Sequence, residues 1–251
     1  MSLLIDASKL EHNILIEPFG DSAIVVRFGN KIDSTIHQKV QMLANYLEKH
    51  PFPGYIECVP AYTNVTVYYH PFIIYESYKQ TINNLSPSAL VKSFLEEIIE
   101  QLEEEEKREN CIVEIPVCYG GEYGPDIETV AKHNHLTVDQ VIDIHSNGEY
   151  RVYMIGFAPG FPFLGGMSEK IAAPRRVTPR HLISAGSVGI AGVQTGIYPI
   201  ATPGGWQLIG QTPLKLFLPN KNPPSLLQAG DIVKFVPISE QEFLYQKEET
   251  E

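Results

Sequence analysis

The spacing of apolar residues in the first half of the chain predicts alternating strands and helices. Two extended runs, Ile14–Phe19 and Ala23–Phe28, flank a Gly-Asp pair that is typical of a tight hairpin turn. Apolar residues then recur at helical spacing after the capping residues Asp33 and Ser34, and Pro51 must end this helix. The chain therefore opens with a predicted β-hairpin that is followed by an amphipathic helix.

Two further strands and a second helix follow, and together they favour a known α+β arrangement. The strands are Tyr55–Ala61 and Val65–His70, and the helix, which begins near Pro87, has apolar residues at helical spacing and a Glu-rich outer face. Ile112–Cys118 is predicted as a last strand, and Pro116 places it at an edge or a bulge. The order strand, helix, strand, strand, helix, strand is that of a ferredoxin-like α+β domain.

The pattern changes beyond the acidic stretch Glu103–Glu109, which we interpret as a helix end or a linker. A helical region from Ile127 to about His145 contains a Thr-x-x-Gln capping box. From Arg151 to Lys221, 11 Gly and 8 Pro separate short β-type runs, which is typical of a closed barrel or a sandwich. We therefore predict an α+β protein of two domains. Residues 1–110 form a small α+β domain, and residues 111–251 form a β-barrel domain.

The formal net charge of −11 excludes some classes of partner. Binding of nucleic acid needs a positive surface that releases counterions from the phosphates, so we expect no nucleic acid partner. No apolar run reaches the ~18–20 residues that span a bilayer, and Met1–Leu15 lacks the basic and apolar regions of a secretory leader. We therefore expect no membrane span and a cytoplasmic location. The Glu-rich end, Gln241–Glu251, is expected to be unordered.

Positive charge is concentrated in one segment of this acidic chain. Arg151–Lys221 holds seven Lys or Arg and one acid, Glu169, which gives the segment a formal charge of +6. Within it, Arg175, Arg176 and Arg180 lie in a short segment whose backbone is stiffened by Pro174 and Pro179. Guanidinium groups held in this way suit the recognition of a carboxylate or a phosphate. A solvated basic loop, or a docking surface for an acidic partner, would explain the same spacing.

Several familiar catalytic signatures are absent from the sequence. There is no Gly-x-x-x-x-Gly-Lys-Ser/Thr string, so the chain carries no P-loop, and Ser187 lacks the first glycine of a nucleophile elbow. His133 and His135 are two positions apart and would not share a helix face, which argues against a metal site. His145 is a candidate general acid or base, or it stabilises a helix C-terminus. Cys118 is a candidate thiolate nucleophile or a buried apolar residue.

Long motifs in the chain resemble those of a known family. The matching strings are Val117–Asp126, Gly156–Gly166, Pro174–Arg180, Ala185–Pro199 and Pro203–Gly210. They resemble the central motifs of the family that contains the 5-oxoprolinase B subunit, KipI and allophanate hydrolase subunit 1. A shorter match at Gly20–Ala23 extends the resemblance over nearly the whole chain. The resemblance implies a small N-terminal α/β domain followed by a cyclophilin-like β-barrel.

The resemblance also implies a function that needs partner subunits. Family members pair with a homologous C subunit and, with an A subunit, open the ring of 5-oxoproline to L-glutamate with hydrolysis of ATP. The chain is then expected to be inactive alone, to share the ATP with its partners, and to bind no metal or biotin directly.

Other functions fit the same motifs. A KipI-type inhibitor would block the autophosphorylation of a sensor histidine kinase, and a stand-alone binding domain would need no partner. A role related to allophanate hydrolase or urea carboxylase is a weaker alternative, because the sequence has no Ala-Met-Lys-Met biotin-acceptor string.

The implied chemistry suggests roles for the candidate site residues. A lactam is a poor electrophile, and phosphorylation of its oxygen makes it a better one, so a site must hold a carboxylate and a developing phosphate together. We predict that His145, Arg175 and Arg180 are catalytic, and that His145 transfers a proton. The residues predicted to bind the small anionic substrate are Arg176, Tyr119, Tyr123, Gln194, Thr195 and Tyr198.

Overall fold

Contacts within the chain divide it into two units, Met1–Glu109 and Asn110–Glu251. The structure, a computed structural model, describes residues 14–79, 85–102 and 111–250. The predicted linker Glu103–Glu109 lies outside the described residues. Each unit has its own apolar core. In the part of the chain that is described, no helix is both long enough and apolar enough to cross a membrane.

Four antiparallel strands and three helices are present in the first unit among residues 14–79 and 85–102. The strands are β1 (Leu15–Pro18), β2 (Ala23–Arg27), β3 (Tyr55–Pro60) and β4 (Asn64–Tyr69), in the sheet order β1-β2-β4-β3. The helices are α1 (Ser34–Lys49), α2 (Pro71–Tyr78) and α3 (Pro87–Leu102). The Asp33 carboxylate accepts hydrogen bonds from the backbone N–H groups of Thr35 and Ile36, and this cap starts α1. The predicted hairpin and both predicted helices are present.

The second unit is built on a seven-stranded sheet that forms a nearly closed barrel. In sheet order its strands are β10 (Gln194–Ile197), β9 (Ser187–Ala191), β12 (Gln207–Gln211), β5 (Ile112–Tyr119), β13 (Ile232–Pro237), β6 (Tyr150–Ile155) and β7 (Pro162–Gly165). The edge strands β10 and β7 contact each other, which brings the two ends of the sheet together. A separate pair is formed by β8 (Arg180–Ile183) and β11 (Thr202–Gly204). The prediction of a mixed α and β chain with a barrel-like sheet is confirmed.

The ferredoxin-like arrangement of the first unit is not confirmed, because its last predicted strand lies in the other unit. That strand, β5, is parallel to β13 and antiparallel to β12. The sheet of the first unit instead takes its four strands from two hairpins. In β5 only Cys118 and Tyr119 pair with β12. The strand therefore has a single neighbour at Pro116, where a residue without an N–H is tolerated.

Three helices pack on the barrel: α4 (Ile127–His133) on β12, α5 (Val138–Ser146) on β13 and α6 (Glu240–Thr250) on β5. The sequence predicted one helical region for α4 and α5. This helical region is interrupted between α4 and α5, because His135 adopts the left-handed conformation, with a φ of 56°. The predicted capping box is confirmed, since the Thr137 hydroxyl accepts from the Gln140 N–H and the Gln140 side chain accepts from the Thr137 N–H.

The expectation that the C-terminal end is unordered is wrong for α6. Phe243 is 2% exposed, and its ring centroid lies 4.5 Å from that of Tyr123. At the start of the helix, the backbone N–H and the hydroxyl of Ser239 donate to the Glu242 carboxylate, and these bonds lower the pKa of Glu242. One buried aromatic residue therefore docks a helix whose other residues are mostly polar.

Candidate functional site

A buried carboxylate holds two of the three predicted arginines. Asp126 is 3% exposed, and it accepts four hydrogen bonds. Arg180 donates to it from Nη1 and Nη2, at 2.8 and 2.9 Å, and Arg176 donates from Nη1 at 2.8 Å. The fourth donor is the backbone N–H of Leu208, at 2.8 Å. We call Asp126, Arg176 and Arg180 the arginine–aspartate cluster.

Asp126 is fixed by its backbone as well as by its side chain. It immediately precedes α4, and its backbone N–H donates to the Leu208 carbonyl at 2.9 Å. Gly124 allows this close approach to β12, because a Cβ at that position would lie 2.0 Å from the carbonyl oxygen of Ile209. Asp126 is therefore hydrogen-bonded to β12 through its backbone and through its side chain.

The two arginines reach Asp126 from a loop and from the strand that follows it. The Arg176 N–H donates to the Gly205 carbonyl at 2.7 Å, and the Gln207 side-chain amide donates to the Pro174 carbonyl at 2.9 Å. Arg180 is the first residue of β8, which pairs with β11. The loop that carries the arginines is thus held against the segment that leads into β12.

The arginine–aspartate cluster retains positive charge at an exposed edge. The Asp126 side chain is 5% exposed, whereas the side chains of Arg176 and Arg180 are 36% and 23% exposed. Two cations and one anion leave the cluster with one net positive charge. Arg175, which is exposed, adds another cation on the same loop. Arg175 takes no part in the contacts to Asp126.

Aromatic side chains lie near this positive edge. The Tyr198 ring packs edge-on against the rings of Trp206 and Phe161, at centroid distances of 6.2 and 6.1 Å. Burial raises the pKa of the Tyr198 phenol, and a hydrogen bond from the Trp206 backbone lowers it in part. The charges of Arg175 and Arg180 also lower this pKa, which places both arginines near the phenol. Tyr198 is therefore a neutral hydrogen-bonding group beside the arginines.

A second polar network, in the core of the barrel unit, joins three other predicted residues. His145 is fully buried, its Nδ1 lies 2.7 Å from the Tyr119 hydroxyl, and its Nε2 lies 2.9 Å from the Thr195 hydroxyl. The Thr195 hydroxyl donates to the Gly189 carbonyl at 3.1 Å. The Phe235 ring stacks on the imidazole at a centroid distance of 4.4 Å. We call Tyr119, His145 and Thr195 the histidine network.

The donors and acceptors of the histidine network fit one protonation state. Because the Thr195 hydroxyl proton points to Gly189, its oxygen accepts from the Nε2–H of His145. The Nδ1 of His145 is then unprotonated and accepts from the Tyr119 hydroxyl. Burial lowers the pKa of His145 to about 3 and raises the pKa of Tyr119, so both groups stay neutral. Proton transfer by His145 stays a prediction, and it would require one of these hydrogen bonds to break.

Four predicted residues belong to neither network: Arg175 and Tyr198, which lie near the arginine–aspartate cluster, and Tyr123 and Gln194. Tyr123 lines an open cleft of about 810 Å³ that Phe243 of α6 also lines. Gln194 is half-buried at the start of β10. The structure therefore divides most of the predicted residues between two networks rather than joining all of them in one.

The arginine–aspartate cluster offers hydrogen-bond donors rather than metal ligands. Among residues 14–79, 85–102 and 111–250, no group of three or more His, Cys, Asp or Glu side chains is placed to hold a metal ion. Guanidinium N–H groups at the exposed edge of the cluster suit a carboxylate or a phosphate oxygen. The arrangement can therefore bind and stabilise negative charge.

Comparison with known proteins shows the family to which the chain belongs. A family model described as carboxyltransferase domain, subdomain C and D, matches residues 14–227, which include both networks. The chain belongs to this carboxyltransferase domain family. Its relatives include the B subunit of 5-oxoprolinase from Bacillus subtilis (strain 168), which is 59% identical over 235 residues, 94% of this chain and 97% of the relative. The 5-oxoprolinase B subunit of Escherichia coli O157:H7 is 41% identical over 88% of this chain and 94% of the relative.

Solved structures of similar proteins share the fold of this chain. The structure of TTHA0988 matches with a TM-score of 0.70 and 34% identity, over 86% of this chain and 40% of that chain. Conserved uncharacterized protein PH0987 from Pyrococcus horikoshii matches with a TM-score of 0.52 and 49% identity, over 91% of this chain and 100% of that chain. The K. lactis urea amidolyase, at 21% identity and a TM-score of 0.69, covers 100% of this chain with 16% of its own length, and it shares the fold.

Sequence reasoning missed Asp126 in this member of the carboxyltransferase domain family. The residue is part of the Val117–Asp126 motif, but the sequence predicted no role for it. The charge distribution gave one indication of such a partner. Arg151–Lys221 contains seven Lys or Arg but only one acid, Glu169, so other acids that pair with its arginines lie outside this segment. The sequence does not indicate which of the other acids is brought there by the fold.

Proposed function

We propose that this chain is the B subunit of an ATP-dependent 5-oxoprolinase. With an A subunit and a homologous C subunit it opens 5-oxoproline to L-glutamate, coupled to ATP hydrolysis, and it is inactive alone. The observation that carries the proposal is the relative named as the B subunit of 5-oxoprolinase in Bacillus subtilis, 59% identical over 94% of this chain and 97% of its own length. Identity at this level along two whole chains supports a shared function as well as a shared fold.

The arginine–aspartate cluster supplies what the proposed reaction needs from a protein. A lactam carbonyl is a poor electrophile, and transfer of a phosphoryl group from ATP to its oxygen creates a better one. The substrate carboxylate and the developing phosphate are both negative, and guanidinium groups bind both. Arg175 and Arg180 stabilise these charges in the proposal, and Arg176 helps to bind the substrate. The ATP is shared with the partner subunits.

The remaining predicted residues have secondary parts in this proposal. Tyr198 offers a neutral hydroxyl beside the arginines. Tyr123 and Gln194 stay predicted polar contacts of the substrate. His145 transfers a proton only in a state in which the histidine network has opened. We further propose that the barrel is of the cyclophilin-like type and that the enzyme works in the cytoplasm, where ATP is abundant.

Reconstitution with purified partner subunits tests the proposed function. Glutamate formation from 5-oxoproline and ATP is measured with the A and C subunits, in the presence and in the absence of this chain. We expect activity only when the chain is added. A stable complex with the C subunit that lacks activity would point to a different substrate. Failure to bind the C subunit, together with inhibition of a sensor histidine kinase, would support the KipI-type alternative instead.

A further inference from the structure

Asp126 is saturated with hydrogen bonds, so it can act on a ligand only through its neighbours. A carboxylate offers about four acceptor positions. Asp126 takes hydrogen bonds from Arg176 and Leu208 and two from Arg180, which uses all of these positions. The residue is also 3% exposed. A substrate therefore meets the arginines and not the carboxylate.

The contact with Asp126 fixes the orientation of two guanidinium groups. Arg180 donates from Nη1 to Oδ2 and from Nη2 to Oδ1, and this pair of bonds fixes the plane of its guanidinium. Arg176 donates to the same Oδ1, so the two guanidinium groups meet at one oxygen. A guanidinium carries more N–H groups than Asp126 accepts from either arginine. Both arginines therefore keep N–H groups that Asp126 does not use, on side chains that are 36% and 23% exposed, although the Nε of Arg176 is itself buried.

The charge of the cluster indicates the kind of anion that fits it. Without Asp126, two adjacent guanidinium groups would repel each other. With Asp126, Arg176 and Arg180 keep one net positive charge between them, which matches a singly charged carboxylate. Arg175, on the same loop, is a further cation that takes no part in the contacts to Asp126. We infer that Asp126 is a positioning residue that holds Arg176 and Arg180 so that together they bind the carboxylate of the substrate. This inference rests on the proposed function.

Asp126→Asn in the assembled enzyme tests the inference. The Asn side chain keeps the shape of Asp but loses its negative charge. Its NH₂ group donates where Oδ2 accepted from Arg180 Nη1 and from the Leu208 N–H, so the pair of bonds that fixes the plane of the Arg180 guanidinium is lost. We expect the KM for 5-oxoproline to rise about tenfold, with the KM for ATP little changed, and the kcat to fall as far as Arg180 also stabilises the developing phosphate. Glu128→Gln is the matched control, because Glu128 is an exposed acid two positions further along, in α4, and it should behave as wild type.

A second variant keeps the test decisive if Asp126→Asn fails to fold or to assemble. Arg180→Lys retains the positive charge but loses the two parallel bonds to Asp126. We expect the same rise of about tenfold in the KM for 5-oxoproline. When the two substitutions are combined, the second should raise the KM for 5-oxoproline little further, because both break the same contact between Arg180 and Asp126.

The outcomes separate the inference from the proposed function. A role of Asp126 in stability alone would lower the amount of assembled enzyme, or would lower the kcat, without a selective change in the KM for 5-oxoproline. That pattern, or a KM within about twofold of wild type in the folded variants, would overturn the inference while leaving the proposed function intact. An assembled wild-type enzyme without turnover would overturn the proposed function, and the inference with it.

Discussion

The two polar networks of the second unit reduce the free-energy cost of burying polar and charged groups in different ways. The histidine network is enclosed and neutral, with both ring nitrogens of His145 hydrogen-bonded and a pKa lowered to about 3. The arginine–aspartate cluster buries one anion but keeps its two cations partly in water, with 36% and 23% of their side chains exposed. A charge is tolerated in a protein interior only when it is paired and hydrogen-bonded.

This difference indicates which network can exchange partners. In the histidine network, both ring nitrogens and the Thr195 hydroxyl proton are already used, so a ligand could enter only by displacing one of them. In the arginine–aspartate cluster, the two guanidinium groups have N–H groups that Asp126 does not use, and their side chains are 36% and 23% exposed, so an anion can bind without breaking a contact to Asp126. Residues that were predicted as parts of one site therefore separate into a part that stabilises the barrel and a part suited to binding.

Breaking the charged network should have the largest effect on stability. Arg180→Ala removes two of the four hydrogen bonds of the Asp126 carboxylate. We expect the free energy of unfolding to fall by about 3 kcal/mol, because a buried charge loses its main partner. Urea unfolding at neutral pH measures the change. Arg175→Ala, on the same loop but exposed, should stay within about 0.5 kcal/mol of wild type. Equal losses in the two variants would contradict the comparison.

Acid should weaken the neutral network, because the unfolded chain takes up a proton at His145 more readily than the folded chain. The pKa of His145 is about 3 in the fold, against 6.5 when unperturbed. As the pH falls below 6.5, the unfolded state binds more protons and stability decreases. Between pH 7 and pH 5 we expect wild type to lose about 2 kcal/mol more than His145→Gln, which cannot titrate there.

Urea unfolding of wild type and His145→Gln across this pH range measures that difference. Groups that titrate elsewhere in the chain affect both proteins, so the difference isolates His145. The same pH dependence in the two proteins would show that the folded chain protonates His145, and the neutral network described above would then be incorrect.

Removing one hydroxyl should damage the neutral network to a smaller extent. Thr195→Val keeps the shape of the side chain but leaves the Nε2–H of His145 and the Gly189 carbonyl without their partner. We expect a loss of about 1.5 kcal/mol in the free energy of unfolding. Thr178→Val, at an exposed position, is the control and should change little. A Thr195→Val protein as stable as wild type would mean that these polar atoms find other partners.

The smallest change in stability is expected for a substitution in the turn between α4 and α5. This turn connects the two networks along the chain, because Asp126 precedes α4 and His145 is in α5. The turn ends α4 with a bond from the Leu136 N–H to the Ala131 carbonyl, and His135 has a left-handed φ of 56°. Glycine is favoured there, so His135→Gly should add about 1 kcal/mol to stability. His133→Gly, at the last residue of α4, should instead lose about 0.3 kcal/mol, because its backbone is helical. Loss of stability in both variants would refute the assignment of the turn.

The elements that the sequence predicted well depend on local interactions. The start of α1 at Asp33 and the Thr137 capping box follow from residues three positions apart, and apolar spacing marks the same helices. Strand pairing is a different case. The sequence could not show that β5 joins β13 instead of the first sheet, because the two strands are far apart along the chain.

Long-range contacts also explain the limits of the site prediction. The arginine motif indicated an anion site, yet the charge that remains there depends on Asp126, 50 and 54 positions earlier in the chain. For His145 a role in proton transfer stays a prediction, whereas its burial and its two partners, which lie on strands before and after it in the sequence, could not be predicted. The many acidic residues of α6 led to the prediction that it is unordered, although Phe243 is buried and packs the helix against the rest of the unit.

The parallel pairing of β5 with β13 has a consequence for how the protein is made. These are the first and last strands of the second unit, yet they lie side by side in the middle of the sheet. During synthesis, β5 leaves the ribosome long before its neighbour exists, and its unpaired edge is a place where other chains can attach. Loss of β13 by truncation or proteolysis would not remove a strand at the rim of the sheet but would divide its hydrogen-bonded ladder, leaving β6 and β7 in contact with the other strands only where β7 meets β10.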